Sequence, residues 1–211
     1  GSRINKGIKE EHQQVMFNAM GLAAFGLGIN SVVQNMPNSA YPVLFIISLA
    51  VGSLVGELLD IDGRFKRLTD RFSGGNSLAQ GLSTGILLFC VGTLSILGPI
   101  QSALYGDNTY LFTNATLDFF SATVLASTYG IGMCAAAIVL FCWQGAIYLC
   151  AGFLGPFLSQ ELLTEISVIG GFLIASSGMS ILNVKQFKTM NMLPCLLVPP
   201  VWFLIKGVIG L

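Results

Sequence analysis

The residues of this chain that could do chemistry are polar groups set inside long apolar stretches. Asp118 lies early in a nearly uncharged run over residues 115–154. A carboxylate inside a bilayer costs about 2.5–3.5 kcal/mol unless something compensates it. Asp118 therefore reads either as a cation or proton site or as a helix-start acid favoured by the helix dipole. Ser95 and Gln101 flank Gly98-Pro99, where proline offers no N–H and crowds the preceding turn. Ser127 and Thr128 precede Gly130-Ile131-Gly132. At both places a helix break would free backbone groups to bind an ion or a small solute, the plainer readings being a proline kink and a loop. Glu57, toward the end of an apolar run, suits either a pathway acid or an interfacial acid paired with Arg64 or another loop cation. Asn30, Gln144 and Asn183 suit hydrogen bonds between helices.

The chemistry that is missing narrows the field. There is no His-Glu-x-x-His, no P-loop and no Gly-x-Ser-x-Gly. The lone His12 stands among charged and amide residues. Cys90, Cys134, Cys142, Cys150 and Cys195 all sit in apolar runs without a Cys-x-x-Cys pair. No nucleophile, base and orienting group can be assembled, so the expectation is no enzyme, no metal and no cofactor.

The elements that must position these groups follow from composition. Charged residues are 9% of the 211 and hydrophobic ones 54%, against about 25% charged for a soluble domain. Too few charges remain to cover a water-facing surface. A net charge of zero argues against nucleic acid as a partner. The fold class is all-α, a single transmembrane bundle over residues 1–211 with spans near 15–33, 41–59, 78–104, 115–131, 134–154, 166–184 and 192–210. With these seven spans, Arg3, Lys6, Lys9, Arg64, Lys66, Arg67, Arg71, Lys185 and Lys188 all fall on one side. By the positive-inside rule that side is cytoplasmic, so the chain starts inside and ends outside. Lys206, near the far end of the last span, is long enough to snorkel.

A weak internal symmetry accompanies this topology. Residues 11–33 and 161–183 each have an acidic lead-in and a glycine-bearing helix, with Gly21 and Gly28 matching Gly171 and Gly178. A polar turn and a proline-led helix follow each, at Pro42 and Pro194. The two segments are spans of opposite direction, which is the inverted-repeat arrangement of many secondary transporters.

The segments Gly56-Glu57-Leu58-Leu59-Asp60-Ile61-Asp62-Gly63, Leu88-Phe89-Cys90-Val91-Gly92, Ile96-Leu97-Gly98, Leu117-Asp118 and Ala126-Ser127-Thr128 resemble the domain of unknown function 554 family. The resemblance implies a multi-pass protein of the bacterial inner membrane, of transporter type and without an established substrate. It also implies one further helix before Gly1, giving eight spans in a parent protein.

The function expected is a secondary transporter or channel-like carrier of a small solute or ion across the bacterial cytoplasmic membrane. Asp118, Ser95, Gln101, Gly98, Pro99, Ser127, Thr128, Gly130, Gly132 and Glu57 would line its pathway. The alternative is a membrane scaffold or accessory subunit, suggested by small-residue faces such as Gly52-x-x-x-Gly56 and by the charged loop at 60–71. The expected partners are the lipid bilayer, the solute or ion, and a further copy of the chain in a homo-oligomer.

Overall fold

A computed structural model describes residues 9–64, 67, 86, 89–90, 93–129, 132–154 and 159–209. Among them there are helices and no strands. The helices are α1 (Glu10–Asn35), α2 (Leu44–Leu59), α3 (Thr93–Tyr105), α4 (Thr109–Tyr129), α5 (Gly132–Leu154), α6 (Gln160–Ile181), α7 (Thr189–Met192) and α8 (Val198–Ile209). Short 3-10 segments, Met36–Asn38 and Leu193–Leu197, follow α1 and join α7 to α8. Among the described residues, five stretches of helix are long and apolar enough to cross a membrane: Gln14–Asn38, Leu44–Arg64, Cys134–Phe153, Gln160–Ile181 and Thr189–Gly207. Their outer faces carry large apolar side chains in the open, with Phe153 86% and Phe141 79% exposed. Such a surface suits lipid rather than water.

The expected spans at 15–33, 41–59, 134–154, 166–184 and 192–210 each overlap one of the five stretches. Most of the span expected at 78–104 before Thr93 lies outside the described residues. The span expected at 115–131 corresponds to α4, a 21-residue helix whose Thr, Asn and Asp residues reduce its hydropathy. Pro99 lies inside α3, which continues through it. The break expected at Gly98-Pro99 is thus absent from the helix, because losing one backbone bond does not open a helix packed on its neighbours. Asn183 also differs from expectation. It sits exposed in the turn after α6 at φ +56 and accepts a bond from Gln186 instead of linking helices. Asparagine tolerates that left-handed conformation better than most residues.

The chain divides into two compact units, one drawn from Gly1–Met20 and Gly63–Gly155, the other from Gly21–Asp62 and Pro156–Leu211. In the first, α3 packs on both α4 and α5. The turn between α3 and α4 places Gly106 at φ +67, where a side chain would be strained. Gly98 lets α3 approach α4, since a methyl group there would stand 3.1 Å from the Leu111 backbone.

The second unit is built on glycine contacts. α1 runs antiparallel to α6, with Gly21 against Gly178 and Leu182, and Gly28 against Gly171 and Ala175. From the other helix, Gly171 meets Gly28 and Val32, and Gly178 meets Gly21 and Phe25. A methyl group on Gly28 would stand 2.6 Å from the Gly171 carbonyl oxygen, and one on Gly171 would stand 2.8 Å from that of Gly28. No residue larger than glycine fits without separating the helices. α6 is the buried helix of the unit, with Ile169, Leu173 and Ile174 fully enclosed.

α2 buries Leu44, Ser48, Gly52 and Gly56, one face at four-residue spacing. This face lies antiparallel on the α7–α8 stretch, with Gly52 against Cys195 and Gly56 against Asn191. The stretch is a helix only in pieces, since Pro194 opens its 3-10 segment and Pro199 and Pro200 enter α8.

Gly28→Leu should therefore force α1 from α6 and cost about 1–3 kcal/mol, read as a lower unfolding temperature in detergent. Gly26→Leu, where nothing lies within 4 Å of the added carbon, should leave that temperature nearly unchanged.

Candidate functional site

Asp118 is on the tenth residue of α4, not in its first turn, because the helix begins at Thr109. The helix-start reading therefore does not hold. Asp118 lines a cavity of about 300 Å³ with Phe89, Phe119, Ala122, Cys134 and Leu140 among its walls. Buried Asn114, one turn earlier, donates Nδ2–H to Asp118 Oδ2 at 2.7 Å. Thr113, Thr116 and Thr123 each return their hydroxyl proton to the carbonyl four residues back. Asp118 brings a carboxyl group to this cavity, held by the Asn114 amide in an otherwise apolar lining.

Ser95 is fully buried on α3 and accepts a 3.3 Å bond from Gln144 Nε2 on α5. This is the helix-to-helix link expected of Gln144. Gln101 is half-buried on α3. Gly98 serves close packing, and Pro99 is buried beside it. Ser127, Thr128 and Gly132 fall where only helix backbone is described, and Gly130 lies outside the described residues.

Glu57, at the end of α2, is paired with Lys188, a loop cation as expected, though not Arg64. Its second oxygen accepts from Asn191 Nδ2 at 2.7 Å, and Asn191 Oδ1 accepts the Asp62 backbone N–H at 2.7 Å. The neighbouring carboxylate holds the Lys188 ammonium above the ordinary lysine range. Glu57 and Lys188 are exposed while Asn191 is only 2% exposed, so the amide forms the buried part of this lock. At the unit's other end Glu165, 1% exposed, accepts from Ser39 Oγ at 2.7 Å and Tyr41 N at 3.0 Å. It ties the turn between α1 and α2 onto α6.

Between these ends lies a place that the reading of the sequence missed. Pro199 and Pro200 have no N–H, so the Leu196 carbonyl loses both the donor three residues on and the donor four residues on. Val198 N reaches only as far as the Cys195 carbonyl. The register set by Gly56–Asn191 and Gly52–Cys195 carries Ser48 to the level of Pro199. Among the described residues, Ser48 Oγ is the buried side-chain polar atom without a partner. Adjacent prolines inside an apolar run were the available signal. A hydroxyl and a freed carbonyl at midspan offer hydrogen-bonding and cation-coordinating oxygen without charge.

Glu165→Ala should take the acceptor from the Ser39 hydroxyl, leave the Tyr41 N–H only its longer bond to Ser39 Oγ at 3.2 Å, and cost about 1–3 kcal/mol, whereas Glu165→Gln, which keeps an acceptor, should lose less. Asn191→Ala should cost about as much as Glu165→Ala, and Lys188→Gln little, since its pair is exposed. Thermal unfolding of the four variants in one detergent reads the order.

The family described as Protein of unknown function (DUF554) matches residues 1–204. The chain is 53% identical over 211 residues to the "Uncharacterized membrane protein YdfK" of Bacillus subtilis (strain 168), covering 100% of this chain and 92% of that one. It is 27% identical over 209 residues to the "Uncharacterized protein YqgA" of Escherichia coli (strain K12), covering 93% and 86% respectively. No solved structure is a significant match. With its profile matched over nearly the whole length, the chain belongs to the family Protein of unknown function (DUF554).

Proposed function

We propose that this membrane protein is a secondary transporter or channel-like carrier of a small, weakly charged solute or ion, built on an inverted repeat in a seven-span bundle of the bacterial cytoplasmic membrane. The observation that carries the reading is the pattern of glycine contacts. Gly171 follows Gly21 by 150 positions (171 − 21), and Gly178 follows Gly28 by the same offset (178 − 28). Under that offset the contact of Gly21 with Gly178 becomes the contact of Gly171 with Gly28. Leu182 against Gly21 becomes Val32 against Gly171, and Ala175 against Gly28 becomes Phe25 against Gly178. The offset also carries the Gly56–Asn191 contact onto the Lys206–Tyr41 pair. Each patch meets the other as in a two-fold dimer, with the two copies in one chain.

The direction of the helices supports the span count. α1 antiparallel to α6 requires an odd number of crossings between α2 and α6. α5 alone gives one, and α3 and α4 together with α5 give three. The latter is the seven-span topology that puts the loop cations on one side, with the chain start cytoplasmic and the C-terminus external. The lock of Glu57, Lys188 and Asn191 fits it, since it joins two loops assigned to the cytoplasmic face.

In carriers of this architecture the substrate binds near the midplane, where a helix is discontinuous. The broken α7–α8 stretch beside Ser48 has that character in one unit, and the cavity at Asp118 supplies a carboxylate in the other. Ser95, Gln101, Ser127, Thr128, Gly130, Gly132 and Glu57 remain candidate pathway positions.

Single cysteines replacing Ser48 and Asp118 in a cysteine-free protein test the reading. A small water-soluble thiol reagent should label both, at rates that a transported solute changes. Protection of both from either side, with loop cysteines labelled normally, would mean a dry bundle and favour the scaffold reading.

A further inference from the structure

We propose that the groove beside Tyr41 and Lys206 is a binding site for one anionic phospholipid. The groove has a volume of about 500 Å³ and lies between the start of α2 and α8. Pro42, Val43, Ile47, Val198, Val201 and Trp202 make its walls apolar. It extends along α8 from Val198 to Ile205, about 10 Å at the helical rise. That is two thirds of one leaflet's hydrocarbon depth of about 15 Å. A groove of this form suits the upper part of an acyl chain.

Lys206 follows Ile205 of the groove wall, one turn beyond Trp202, and is bonded to Tyr41 of the same wall; its charge is what selects the head group. Its Nζ donates to Tyr41 Oη at 2.6 Å and lies 5.3 Å from the Tyr41 ring centroid. The Tyr41 ring is fixed in turn by edge contacts with Trp202 and Phe203, at centroid distances of 5.9 and 5.6 Å. An ammonium has three N–H donors and the phenol takes one. The nearby carboxylates do not take the others. Glu165 is engaged by Ser39 and the Tyr41 backbone, and Glu161 acts on Lys206 only through space. A lysine and two aromatic rings at the end of a membrane helix stand at head-group level. A lipid phosphate there completes the ammonium's hydrogen bonds while its chain fills the groove.

The opposite end of the unit provides an internal contrast. Lys188 is neutralised by Glu57, with Asn191 braced against the same carboxylate. Of the two lysines, Lys206 is the one with charge left to offer. The proposal does not rest on transport, and its test reads no flux.

The chain has two tryptophans, so Trp143→Phe leaves Trp202 as the only tryptophan emitter at the groove. This variant is reconstituted in phosphatidylcholine vesicles containing a minor fraction of lipid brominated on its chains. Brominated phosphatidylglycerol should quench Trp202 at about fivefold lower mole fraction than brominated phosphatidylcholine, whose choline cancels its phosphate charge, the ratio expected for one lysine facing a net anionic head group. Lys206→Gln should bring the ratio to one, Lys188→Gln should leave it at five, and inorganic phosphate should not compete. Equal quenching by the two lipids would overturn the proposal. So would a preference that survives Lys206→Gln, competition by free phosphate, or protection of Trp202 that appears only as copies of the chain associate. Should Trp143→Phe fold poorly, native mass spectrometry of the unaltered protein gives the same comparison through retained phosphatidylglycerol.

Discussion

The constraint on which the second unit depends is backbone against backbone, where α1 crosses α6 at Gly21–Gly178 and Gly28–Gly171. Within a bilayer, apolar side chains gain little by leaving lipid for protein, so helices are held by close van der Waals contact and hydrogen bonds. Glycine shortens the distance between helix axes until carbonyls and Cα atoms touch. Much else in the second unit follows from that approach. It aligns Ser31 Oγ with the Ser167 carbonyl at 3.2 Å. It also sets α6 deep enough for Glu165 to reach the turn that starts α2. The α2 face repeats the device with Gly52 and Gly56 against Cys195 and Asn191. Cys195 behaves there as a small buried hydrophobe, its thiol turned toward Leu49 O and Ser53 Oγ.

The strong polar groups of this unit gather at its ends, and the weak ones stay in the middle. Carboxylates occupy the ends, Glu57 with Lys188 and Asn191 at one and Glu165 with Ser39 and Tyr41 at the other. Further from the ends the polar groups are uncharged, among them the unpartnered Ser48 hydroxyl and the Leu196 carbonyl that Pro199 and Pro200 deprive of its helical donors. Charges at the ends sit near water, where they cost little, and they fix the helices lengthwise. A neutral site between two fixed ends suits a solute that must bind and then leave.

Helices were legible in the sequence because twenty apolar residues have few other uses. Their limits were less so. α6 begins at Gln160, well before its apolar run, because Ser159 Oγ caps the helix by accepting Leu162 N. α4 begins at Thr109 for a similar reason, as Asp107 Oδ1 accepts the Thr109 N–H. Polar residues that belong to a helix turn are invisible to a search for apolar runs. The glycine correspondence was legible as spacing, but not that the matched glycines touch. Glu57 could be read as wanting a cation, yet only the folded chain brings Lys188 to it across 131 positions. Ser48 passed unnoticed because a single serine in a helix is common and its lack of a partner is a property of the packing.

The contact between α1 and α6 also has a consequence in time. Its two halves are separated by more than a hundred residues, and synthesis proceeds at about 5–20 residues per second. For roughly 7–30 s after α1 emerges, its glycine face has no partner. During that interval α1 must remain in the bilayer by its hydropathy alone, with a notch along its side filled only by lipid. A helix that met a second small-residue face first would be captured by it. The seam that makes the finished unit tight is therefore also one that a nascent chain must keep open while the intervening helices are made.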